Sequence, residues 1–184
     1  MSSYFASAQA RAGALVAGVL CALSAFSEQT SELGTVEAEL NGEAKTWYVH
    51  DRGDVPGATW IEQEPGRYTA TITGFETRDR RVEGSQLTVS FEFDDGLSEA
   101  EHSISGSGRD PADVRLMPSV EDIERLHTLK NGFVHASRIE IGADGAYLFS
   151  GTFSGTLTDA GGKVVGELVN GRFEVEGAVQ AEPP

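Results

Sequence analysis

The chain holds one cysteine, Cys21, so no disulfide can form within it. It is poor in bases, with 14 Lys plus Arg against 29 Asp plus Glu and a formal net charge of −15. A surface of that sign repels phosphate backbones and anionic lipid headgroups, which excludes nucleic acid and acidic membrane surfaces as expected partners. Its longest apolar run, Gly13 to Ala25, falls short of the roughly 20 residues that a membrane-spanning helix needs. Catalytic signatures are missing too. Ser105-Gly106-Ser107-Gly108 has the wrong spacing for a G-x-S-x-G elbow. His50, His102, His127 and His135 stand at no zinc-ligand spacing. These absences point to a non-enzymatic protein without a cofactor.

A second absence divides the chain. Residues 1–27 contain no acid and a single base, Arg11, and acids begin at Glu28. The run "GALVAGVLCALSA" has the length of a signal-peptide apolar region. Ala25-Phe26-Ser27 places small side chains at the −3 and −1 positions, which predicts a signal peptide over 1–27 and cleavage before Glu28. Ser24 or Ala25 is an alternative end, and an N-terminal helix packed on the domain is the structural alternative. Lipid attachment at Cys21 requires Leu, Val or Ile three residues before it and a small residue just before it. Gly18 and Leu20 occupy those places, so a lipoprotein is not expected. The expected mature unit is one domain over 28–184, secreted or periplasmic, with no membrane span and one unit more acidic than the precursor.

What is present is alternation. "YLFSGTFSGTLT" sets Tyr147, Phe149, Phe153 and Leu157 in one phase and Ser150, Thr152, Ser154 and Thr156 in the other, the pattern of a strand with one wet face. Thr69, Thr71 and Thr73 form a similar row against Tyr68, Ala70 and Ile72. Thr88 and Ser90 form a shorter one against Leu87, Val89, Phe91 and Phe93. Repetition on strand after strand reads these rows as solvent faces, since threonine suits a half-exposed pleat. A binding platform would stand out by aromatics or convergent charge instead.

Turn signals separate the strands. Asn41-Gly42 predicts a two-residue hairpin in which Leu40 faces Glu43, Ala38 faces Lys45 and Val36 faces Trp47. Pro65-Gly66, Asp95-Gly96, Asp144-Gly145 and "DAGGK" are further turns. Ser119 is a helix N-cap candidate with Asp122 three residues on. Val120, Ile123, Leu126 and Leu129 make an apolar stripe, and Asn131-Gly132 reads as a stop, which predicts one short helix over about 119–131 with His127 on its flank. The expectation is an all-β domain of eight or nine antiparallel strands, a sandwich or a closed barrel, ending in a frayed "QAEPP" tail.

The densest polar cluster is "DDGLSEAEH". Asp94, Asp95, Glu99, Glu101 and His102 are the candidates for a metal, because hard cations take oxygen ligands. No D-x-D-x-D-G loop accompanies them, and the plainer reading is a solvated acidic loop. Arg52-Gly53-Asp54 spells a cell-adhesion tripeptide and reads as a polar turn.

At "GTFSGTLTDAGGKVVGELVNGRFEV" and "AELNGEAKTWYV" the chain resembles uncharacterised secreted or lipid-anchored bacterial β-domains. The same strand looks like the barrels of transferrin-binding surface lipoproteins. That family's aromatic-Gly-Pro closing segment is absent from "FEVEGAVQAEPP". The resemblance implies an exported β-fold and no activity. The leading expectation is an exported, non-catalytic β-domain that binds or scaffolds an envelope or extracellular partner. Alternatives are a small-ligand carrier, if a barrel encloses a cavity, and a Ca²⁺-assisted hydrolase using the acidic loop 94–102. A carrier would need an interior not filled by Trp47, Phe91, Phe93, Phe149 and Phe153.

Overall fold

The alternating segments become strands and the turn signals become the bends between them. The computed structural model describes residues 32–51, 59–78, 84–107, 109–119 and 125–178. Among the described residues there is no helix. The strands are β1 (Glu32–Leu40), β2 (Glu43–His50), β3 (Thr59–Glu64), β4 (Arg67–Phe75), β5 (Gln86–Asp94), β6 (Ala100–Ile104), β7 (Ala112–Met117), β8 (His127–Ile141), β9 (Ala146–Thr158) and β10 (Val164–Ala178). The signal-peptide segment, Cys21, the Arg52-Gly53-Asp54 tripeptide and the C-terminal "QAEPP" lie outside the described residues.

All ten strands belong to one antiparallel sheet, ordered β2-β1-β10-β9-β8-β7-β5-β4-β3, with β6 on β8. The β2 end of the sheet reaches back to β4, one strand in from the other end, at one ladder pair, Tyr48↔Phe75. The sheet therefore curls nearly full circle, but a single pair is not the continuous ladder of a clean closed barrel.

The first hairpin has the expected register: Leu40↔Glu43, Ala38↔Lys45 and Val36↔Trp47. Asn41 at φ 53° and Gly42 at φ 83° are both left-handed, as the favoured two-residue turn requires. This register sends Val36, Ala38 and Trp47 into the core together. From β5 come Leu87, Val89, Phe91 and Phe93, all buried. Phe91 sits at their centre, with ring centroids 5.8 Å from Phe149, 5.7 Å from Phe173 and 5.9 Å from Phe93. Each such side chain contributes about 1.5–3 kcal/mol by leaving water. Trp47, Phe91, Phe93, Phe149 and Phe153 thus all lie in the sheet's interior.

The β9 pattern has the expected sense. Tyr147, Phe149, Phe153 and Leu157 are buried, Thr152 is exposed, and Ser150, Ser154 and Thr156 are half-buried. The threonine row of β4 does not follow it. Thr69 is half-buried, but Thr71 and Thr73 are buried at 5% and 2% exposure, so that row is not a solvent face. Both lie in the outward phase, opposite Ala70 and Ile72. Their hydroxyls are satisfied across the sheet, Thr71 with Ser90 at 3.0 Å and Thr73 with Thr88 at 3.2 Å, which makes burial tolerable.

The helix expected over 119–131 is a misreading. From His127 onward this segment is β8, and Val120 and Ile123 lie outside the described residues. Leu129 is buried as a strand residue opposite Leu157, and His127 pairs with Leu116 of β7 rather than flanking a helical stripe. Ladder partners on both edges outweigh a three-residue spacing seen over a short window. Asn131-Gly132 is not a helix stop but a bulge: the β8–β9 register shifts between Lys130 and Phe133, and Asn131 takes φ 49°. Asn170-Gly171 does the same in β10, with a shift between Leu168 and Gly171 and φ 53° at Asn170. Both extra residues face β9 around Ser154 and Gly155, so β9 is flanked by a bulge on either side. Bulges increase local twist and bend, which is what a sheet needs to curl on itself.

Candidate functional site

Four strands, β3, β4, β5 and β7, carry the part of the outer face that departs from a plain wet surface. The Pro65-Gly66 turn sets the β3–β4 register, Gln63↔Tyr68 and Ile61↔Ala70. Because Ala70 faces the core, Ile61 does too, and alternation turns Trp60 outward. Trp60 is 42% exposed, whereas the other tryptophan, Trp47, is fully buried. Trp60 pairs with Thr71, Thr71 with Ser90, and Ser90 with Asp113, one row across four strands. The next row runs Thr73, Thr88, Arg115.

Trp60 of the first row and all three residues of the second line a groove of about 580 Å³ walled by Trp60, Glu62, Thr73, Gln86, Thr88, Arg115, Met117 and Leu126. Its chemistry is mixed. Trp60, Met117 and Leu126 supply apolar surface. Thr73 and Thr88 supply hydroxyls, and the Gln86 amide donates to Thr88 Oγ1 at 3.5 Å. Glu62 and Arg115 contribute one charge of each sign, and Arg115 is ion-paired with Asp113.

Two further polar features involve β2. Trp47 Nε1 donates to Ser85 Oγ at 2.9 Å, Ser85 Oγ donates to Glu76 Oε2 at 2.9 Å, and Lys45 lies 3.4 Å from Glu76 Oε1. The Ser85 backbone N–H also donates to Glu76, and it is the chief cause holding that carboxyl below the ordinary glutamate range, followed by the Ser85 hydroxyl and Lys45. His50 is the other. It is 4% exposed, faces outward in the phase of Tyr48, and neither ring nitrogen has a hydrogen-bond partner among the described residues.

The acidic loop is placed differently. Asp94 and Asp95 are exposed at the β5 end and Glu101 is exposed on β6. Glu99 accepts from His135 Nε2 at 3.2 Å, and His102 Nε2 donates to the Glu92 carbonyl at 2.6 Å. Among the described residues, no three His, Cys, Asp or Glu side chains form a group that could hold a metal ion. Asp110 instead gathers local donors, the hydroxyls of Ser105 and Ser107 and the backbone N–H groups of Ser105 and Gly106. The Ser105 hydroxyl is the largest cause holding its carboxyl below the ordinary aspartate range. That ties off the turn between β6 and β7.

Sequence reading singled out the acidic loop and passed over Trp60, Glu62, Gln86 and Arg115. The signal was present in "TWIEQEPGRYTATI": once the turn is placed and Ala70 is set inward, Trp60 can only face out. No protein-family model matches the chain, and neither a curated protein nor a solved structure shows significant similarity to it.

Proposed function

We propose that the chain is an exported, non-catalytic binding domain of the bacterial cell envelope, and that it recognises its partner on the outer-face groove around Trp60. One observation carries the reading: of two tryptophans, one anchors the core and the other lies on the outer face, at a groove lined by polar side chains of β4, β5 and β7. An exposed large aromatic flanked by polar groups is the usual anatomy of a recognition surface. Export is supported by the acid-free first 27 residues with their apolar run. The filled interior supports recognition on the outside of the sheet rather than in a central cavity, which weighs against a small-ligand carrier.

The test places a benzophenone photocrosslinking residue at position 60, or at Thr152 on the outward phase of β9, in the native host. Crosslinked product at 60 and not at 152, with the protein in the periplasmic or secreted fraction, is the expected result. A cytoplasmic location, or equal labelling at both positions, overturns the reading.

A further inference from the structure

We infer that the Trp60 groove takes a neutral glycan, with one pyranose ring lying on the Trp60 indole and its hydroxyls met by Thr88, Gln86, Glu62 and Arg115. The inference rests on the groove being the binding face and adds the chemical class of what it binds. A pyranose presents an apolar C–H face and a rim of hydroxyls that both donate and accept. The groove offers the complement: a flat indole beside a hydroxyl, an amide, a carboxylate and a guanidinium.

Three further points favour this class. The donors are held on strands and on each other. Thr73 is buried and bonded to Thr88 at 3.2 Å, and one of the two hydroxyls must donate. Thr88, half-buried, is thereby oriented before any ligand arrives, which lowers the ordering cost of binding. Arg115 is already paired with Asp113 and Glu62 adds a negative charge, so a polyanion would be repelled in the groove as well as by a chain of net charge −15. The volume, about 580 Å³, falls within the ~300–1,000 Å³ of small-ligand sites.

The experiment is calorimetric titration of the mature protein with cellohexaose, maltohexaose, chitohexaose and xylohexaose, alongside selection from a phage-displayed random heptapeptide library. At least one hexasaccharide should bind, and Trp60→Ala should weaken it tenfold or more, about 1.4 kcal/mol. In that variant Trp47 is the remaining tryptophan, and its unchanged emission shows the fold intact. If Trp60→Ala disturbs that emission, Thr88→Val and Arg115→Met replace it, with the same tenfold loss expected. Equal binding by wild type and variants overturns the site. Binding of no hexasaccharide, or selection of peptides that Trp60→Ala abolishes, overturns the glycan class. In that event, crosslinking confined to position 60 leaves the binding-face reading standing, and its loss as well removes both.

Discussion

Trp47 on β2 and Ser85, at the entrance to β5, are joined by a 2.9 Å hydrogen bond from the indole Nε1 to the serine hydroxyl. The bond links the core to a polar chain that continues through Glu76 to Lys45. It also helps to hold the place where the β2 end of the sheet meets β4, since Tyr48 is the residue of β2 that pairs with β4. Ser85→Ala leaves a buried indole N–H unpaired and removes a donor from Glu76. The expected loss is about 1–3 kcal/mol in urea unfolding, the penalty for an orphaned buried donor. A loss below about 0.5 kcal/mol, in the range of an ordinary surface change, would mean that the bond holds nothing at the seam.

The same chain makes stability depend on pH through Glu76. Its carboxyl is held below the ordinary glutamate value of 4.5, first by the Ser85 backbone N–H. A folded value below the unfolded one contributes stability that is fully present above the unfolded value. That contribution is lost as pH falls through the folded one. Wild type should therefore exceed Glu76→Gln at neutral pH, and the gap should close on acidification below about 4.5. Asp110 titrates in the same sense but is common to both proteins, so it cancels in the difference. A gap that stays constant from neutral pH to below 4.5 would show that Glu76 acts by packing rather than charge.

Opposite faces of β9 should respond differently to truncation. Phe153 is 1% exposed, so Phe153→Ala should cost about 3–5 kcal/mol, the usual result of emptying an aromatic core site. Thr152 is exposed, so Thr152→Ala should stay within about 1 kcal/mol. Urea melts of the two variants, compared at equal m-value, decide the matter, and similar costs would contradict the assigned faces.

The bulges beside β9 are tested through their asparagines. At φ 49° and φ 53°, Asn131 and Asn170 occupy the left-handed region, which β-branched residues resist. Asn170 also donates to Glu39 Oε1 at 2.8 Å, tying β10 to β1. Asn131→Val should cost about 1–2 kcal/mol, whereas Asn131→Gly should be nearly neutral. The close approach has the opposite tolerance: a Cβ on Gly155 would stand 2.9 Å from Gly132 Cα, so Gly155→Ala should destabilise by about 1–3 kcal/mol. Equal melting of the Val and Gly variants would mean that the bulge relaxes into another register.

Much of this architecture was legible because its determinants are local. Alternation named the core residues of β5 and β9, and Asn41-Gly42 fixed a hairpin register residue by residue. The failures come from non-local pairing. Nothing near Leu126 and Leu129 says that β7 and β9 stand ready on either side, so a short apolar spacing reads as a helix. The same Asn-Gly dipeptide makes a turn at 41 and bulges at 131 and 170. The flanking strand partners decide between them: the turn puts both Asn41 and Gly42 in the left-handed region, whereas each bulge puts only its asparagine there. Thr71 and Thr73 read as wet because threonine suits a half-exposed pleat, and composition does not report what lies over a face. The groove escaped notice because its parts lie far apart in the chain, from Trp60 to Leu126, and meet only when β3, β4, β5 and β7 pair side by side.

His50 tests what unsatisfied polar atoms cost this fold. Its ring is 4% exposed and neither nitrogen is bonded among the described residues, which leaves two unsatisfied polar atoms on one side chain there. His50→Phe keeps a planar ring of similar shape and removes both. If the imidazole contributes nothing to the fold, this variant should be more stable, by about 1–3 kcal/mol, the penalty usually attached to an orphaned polar group. The bulkier ring works against that gain through overpacking, so His50→Leu serves as the second variant. Thermal melts of both, followed by Trp47 emission, read the change. A fall in stability in both variants would instead show that His50 is held by contacts that stabilise the fold.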